Sequence, residues 1–257
     1  MITLKNIRSI DGIEPDCKSH KTPKGARHKM THKLFEPTVI GIYVIVGFLL
    51  NYFQKLFTDS QNYDGLVAIY SVHLCFISAL IILFIISLTK PKYSLQYWGF
   101  RFNTGFLVSI GLALVVYFLY DHPLRLFIPA NLPRDTIQFV SLICEELFFR
   151  AMLINYLKSL FANNRMKWII VIPLSAIIFT IPHIPSYSFS KLLGGTFQLG
   201  LVWGAIYYFS NSILFPMYSH VMLNRVDQFG MLGVIAVTVI YIVLSLFGYI
   251  ENRRQIQ

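Results

Sequence analysis

Glu145 and Glu146 stand side by side in Cys144-Glu145-Glu146-Leu147-Phe148-Phe149-Arg150-Ala151, where two carboxylates and a guanidinium sit among phenylalanines. On a helix Glu146 and Arg150 are four apart and share a face, so an ion pair between them is geometrically natural. Glu145 points about 100 degrees away and has no partner on its own helix. Such a carboxylate can act as a general base on water. Later in the chain, Phe179-Thr180-Ile181-Pro182-His183 supplies an imidazole, and His220-Val221-Met222-Leu223-Asn224 sets an imidazole and an amide on one helical face. Joined to Glu145, the groups of His183, His220 and Asn224 either hold a metal or stabilise the oxyanion that forms when water attacks a carbonyl.

The elements that must position these groups are membrane helices. Of the 257 residues, 55% are hydrophobic and 13% charged, with a mean hydropathy of +0.59, against about 25% charged in a soluble domain. Apolar runs long enough to cross about 30 Å of hydrocarbon recur. They predict an all-α polytopic protein with about eight spans, at 38–56, 66–88, 103–120, 136–160, 167–183, 192–209, 213–228 and 230–249. The count is seven if the short, polar run at 213–228, with His220, Asn224, Arg225 and Asp227, does not cross. Residues 1–36, with eight Lys or Arg, four Asp or Glu, Pro15, Pro23 and Gly25, read as a basic disordered arm rather than a cleavable signal. Residues 37–250 form the transmembrane domain and 251–257 a cytoplasmic tail.

With eight crossings and the arm in the cytoplasm, sixteen basic residues fall on the inner side and five on the outer, which predicts a multi-pass cell-membrane protein with both termini cytoplasmic. The net charge of +10 belongs to this arm and the inner loops, facing anionic lipid rather than nucleic acid. Cys17, Cys75 and Cys144 are too few and too scattered for a disulfide framework. Trp98, Trp168, Tyr207 and Tyr208 read as interface anchors, and His73 and His122 as ordinary hydrogen-bonding residues. A proton-coupled transporter would show repeat symmetry between halves, and none is visible.

In this order, the three motifs E-E-x-x-x-R, F-x-x-x-H and H-x-x-x-N on successive apolar helices resemble the CAAX prenyl protease and bacteriocin-processing family, or Abi family, of intramembrane proteases. The resemblance covers about residues 135–228. It implies that Glu145 activates the attacking water, that His183 and His220 are site histidines, that Asn224 supports the oxyanion, and that Glu146 and Arg150 hold the helix and tune Glu145. Ala151 departs from the glycine that many relatives carry. The family is described both as metalloproteases and as glutamate proteases, so zinc on Glu145, His183 and His220 stays open beside a metal-free route, without an H-E-x-x-H helix. The substrate the resemblance implies is a peptide or protein at the membrane, with bacterial bacteriocin self-immunity or peptide processing as context. The alternative is a non-enzymatic immunity protein that binds the bacteriocin or its receptor.

Overall fold

The computed structural model describes the backbone of residues 25–119, 132–162 and 164–256, and within these ranges all side chains except those of 25–33, 91, 113–114, 116–119, 132–138, 222, 224–234 and 251–256. Most of the basic arm, together with Cys17, His122 and Arg125, lies outside the described residues, as do the side chains of Arg134, Asn224, Arg225 and Asp227. The described backbone is all-α. It runs through α1 (Gly25–Asp59), α2 (Tyr63–Leu88), α3 (Thr104–Leu119), α4 (Leu132–Glu146), α5 (Leu153–Leu160), α6 (Lys167–Thr180), the short α7 (Phe189–Lys191), α8 (Gln198–Ser210) and α9 (Leu214–Ile256). The π-helical segments Leu147–Met152 and Leu192–Phe197 join α4 to α5 and α7 to α8. Leu34–Asp59, Tyr63–Leu88 and Phe189–Ser210 are long and apolar enough to cross a membrane, and Lys167–His183 and Ile235–Ile250 are shorter apolar helices. The outward residues of α2, among them Val67, Val72, Ile82, Ile85 and Ile86, are exposed and apolar, as a lipid-facing surface requires.

The runs expected as separate spans at 213–228 and 230–249 both fall within α9. In a straight helix Tyr218 and Thr238 would stand about 30 Å apart, yet their hydroxyls are hydrogen-bonded. The Ser212 and Tyr241 hydroxyls likewise meet at 3.1 Å. The element therefore folds back between Tyr218 and Thr238 into two limbs. The first limb carries His220.

Close contacts fix the other helices. Gly200 and Gly204 on α8 form a small-x-x-x-small stripe against Ala176 and Ser175 of α6, and a Cβ at either glycine would lie 3.2 Å from those residues. Backbones can approach this closely only where side chains are small. Asn211 ends α8 at φ 51°, a left-handed conformation that asparagine tolerates. Gly99, at φ +87°, lets the 89–103 connection turn so that its carbonyl accepts from the Ile213 amide.

That connection is a packed plug. Trp98 and Tyr93 are fully buried, and Phe100 nearly so. The expectation that Trp98 and Tyr207 anchor at the interface is thus overturned, because both lie in the core and the Tyr207 hydroxyl accepts from Asn155. At the start of the membrane portion of α1, buried Glu36 accepts from Lys92 and from the Tyr97 hydroxyl, each at 2.9 Å. Burial first, and then the Glu36 charge, hold the Tyr97 phenol well above its ordinary pKa.

Candidate active site

The α4 to α5 junction sets the site. At Leu147 the backbone widens from α to π geometry, and Leu147 to Met152 are all buried. Single π turns inside α-helices recur at functional positions. Across this junction the pair expected from spacing forms: Arg150 Nε donates to Glu146 Oε2 at 3.1 Å, with both side chains fully buried. The guanidinium lies over the Phe179 ring at 4.2 Å and near Trp203 at 5.6 Å. Two aromatic faces thus shield a cation that lipid would otherwise penalise.

Glu146 does more than hold Arg150. Its other oxygen, Oε1, accepts from His220 Nδ1 at 2.7 Å, a short, charge-assisted bond that orients the ring. Trp203 packs on that imidazole at 4.6 Å, and Phe179 meets it edge-on at 6.1 Å. The ring thereby presents Nε2 to Glu145 Oε2, 3.7 Å away. That separation is too long for a direct hydrogen bond. Glu145 keeps one-fifth of its side chain exposed, whereas Glu146 has none. The two adjacent carboxylates thus occupy different environments, one locked and one open.

His183 follows α6 in the 3-10 turn Ile181–His183. Its Nδ1 donates to the Phe179 carbonyl at 3.0 Å, which fixes the tautomer with Nε2 as the free acceptor. Pro182 forms the point of contact with α1, where a Cβ on Gly47 would stand 3.2 Å from Pro182 Cβ. Asn51, also on α1, accepts from the Ser186 hydroxyl just beyond the turn at 3.1 Å. α1 therefore sets where His183 points.

Glu145, His183 and His220 open on one cavity of about 370 Å³. Tyr43 and Asn51 of α1, His73 of α2 and Ser141 of α4 complete its walls. Asn224 follows His220 by four residues in α9, with its side chain outside the described residues. The zinc set of Glu145, His183 and His220 is not formed: among the described residues no three His, Cys, Asp or Glu side chains converge as ligands. His220 Nδ1 is instead spent on Glu146.

Two features of the site escaped the sequence. The Glu146 to His220 bond joins residues 74 apart, and no local spacing encodes it. His73, read as an ordinary polar residue, lines the same cavity as Glu145. The signal that could have found it is the one that found Glu145, an ionisable residue inside an apolar span.

With this geometry in place, the similarity to known proteins is specific. The Rce1-like family, type II CAAX prenyl endopeptidases, matches residues 136–226. The matched segment contains Glu145, Glu146, Arg150, His183, His220 and Asn224, and the family is the one that the motif order resembles. The match spans 91 of the 257 residues, and over that segment the chain is similar to this family. No curated protein and no solved structure matches.

Proposed function

We propose that this protein is an intramembrane endopeptidase in which Glu145 activates water. The observation that carries the reading is the array Glu146, His220 and Glu145: a 2.7 Å bond on one ring nitrogen and a carboxylate 3.7 Å from the other, at the wall of a cavity. Water bound between Glu145 and His183 gives one proton to the Glu145 carboxylate and directs the other at the bare His183 Nε2. Its oxygen attacks the peptide carbonyl carbon, and the oxyanion that forms is met by the Asn224 amide. Glu145 then returns its proton to the leaving nitrogen, the C–N bond breaks, and a carboxylic acid and an amine depart. His220, held by Glu146, sets a ring nitrogen beside Glu145. Arg150 donates to the other oxygen of Glu146 at 3.1 Å and holds it in place.

The chain is organised as a basic arm, a membrane domain at 37–250 with the catalytic core at about 135–228, and a short tail. It crosses the cell membrane several times with both termini in the cytoplasm. The contact of Glu36 with Lys92 places the start of the α1 span beside the basic 89–103 connection, which agrees with the excess of inner positive charge. Small peptides at a bacterial membrane, bacteriocins among them, are the substrates this reading favours, and self-immunity is then a consequence of cleavage.

The test is direct. Wild type and Glu145→Gln are reconstituted in vesicles with membrane-active peptides, and new termini are sought by mass spectrometry. New termini with wild type alone support the reading. Identical products from both proteins remove Glu145 from the reaction.

A further inference from the structure

His73 is the only His, Asp, Glu, Lys or Arg between Asp64 and Lys90, a stretch that is, among the described residues, the most apolar of the membrane-length helices. A polar residue there costs free energy unless it pairs or works. Its Nε2 lies 3.2 Å from the Ser141 hydroxyl on α4. Ser141 is one helical turn before Glu145, and both face the same cavity. Among the described residues His73 Nδ1 has no hydrogen-bond partner, so the imidazole keeps one nitrogen for a ligand. His73 also lies outside the segment 136–226 shared with the endopeptidases. It comes from α2, which also gives Phe76 to the cavity wall and Ile77 and Leu80 to the core.

Four residues of helix advance about 6 Å, and an extended peptide advances about 3.3 Å per residue. A substrate lying extended in the cavity with its scissile carbonyl at Glu145 therefore brings polar main-chain groups opposite Ser141 and His73 about two residues away. We infer that His73, braced by Ser141, is a positioning residue that hydrogen-bonds the substrate peptide about two residues from the bond cut. This rests on the protease reading above. Its contribution is made equally in the bound state and in the transition state, so its loss raises KM and leaves kcat nearly intact. A residue that merely packs α2 on α4 would have no such split.

The probe is a set of internally quenched decapeptides, varied one position at a time, presented to the full chain in nanodiscs. For any peptide that wild type cleaves and Glu145→Gln does not, His73→Phe is expected to raise KM about three- to tenfold, the worth of one or two hydrogen bonds. The kcat should change less than about threefold, and the preference at the position two residues from the cut should flatten. His73→Gln, which can still reach Ser141, should recover part of the loss, and Ser141→Ala should move KM in the same direction. An unchanged KM and preference, or a fall in kcat alone, overturns the inference. Binding separates it from the parent reading: a fluorescent decapeptide is titrated into Glu145→Gln with and without His73→Phe. If no peptide is cleaved but His73→Phe weakens this binding, the protease reading fails while the peptide contact stands. If binding is also unaffected, both fail.

Discussion

Glu146 stands between a cation and an imidazole, and its buried carboxylate depends on both. Arg150→Ala leaves its carboxylate buried beside His220 alone, and stranding one partner of a buried pair costs about 3–5 kcal/mol. We expect a lower Tm in detergent together with loss of activity, measured by thermal unfolding; a variant of normal Tm that lacks only activity would instead place Arg150 at the reacting atoms. Glu145→Gln should behave in the opposite way. Glu145 Oε2 accepts no hydrogen bond among the described residues, so the neutral amide should keep Tm while activity falls at least about a hundredfold. At this scale the sequence revealed the Glu146 and Arg150 pair because four residues make one turn. It could not reveal His220 as Glu146's second partner, because that contact depends on how α9 packs against the α4 to α5 junction.

The helices were legible from hydropathy, since each apolar run has a helical counterpart. Their irregularities were not. Nothing in Leu147–Met152 distinguishes a π turn from an α turn, and the fold-back of α9 shows only in contacts such as Ser212 with Tyr241. Two close approaches can be tested at this level. Gly47→Val would press branched carbons on Pro182, 3.2 Å from the Cβ position. Because that turn carries His183, we expect kcat to fall about tenfold or more with only a small change in Tm, as positioning errors remote from the chemistry do. Gly200→Leu should instead act on stability. It forces α8 off Ala176, overpacking that costs about 1–3 kcal/mol, and drags Trp203 away from His220. A lower Tm by thermal unfolding is the expected result.

For the whole molecule, charge distribution and membrane sidedness belong together. Single cysteines at Lys92 and Lys191, in a cysteine-free background, should react with a membrane-impermeant thiol reagent from opposite sides, Lys191 from outside intact cells and Lys92 only after permeabilisation. Labelling of both from one side would overturn the proposed topology. Composition alone revealed a membrane protein, because too few charged residues exist to cover a water-facing surface. It could not reveal that the 89–103 connection is a buried plug, since Trp98 and Tyr93 look the same in an interface belt as in a core. Nor could it show that α1 and α2 wall the cavity, because the recognisable motifs all lie downstream.

The measurement closest to the central claim is a double-mutant cycle on peptide cleavage, with Glu145→Gln, His220→Asn and the pair compared at matched folding. If Glu146, His220 and Glu145 act as one device on water, the double variant should be no slower than the slower single variant, as groups that act as a unit behave. Losses that simply multiply would contradict the account and show that His220 and Glu145 serve separate steps.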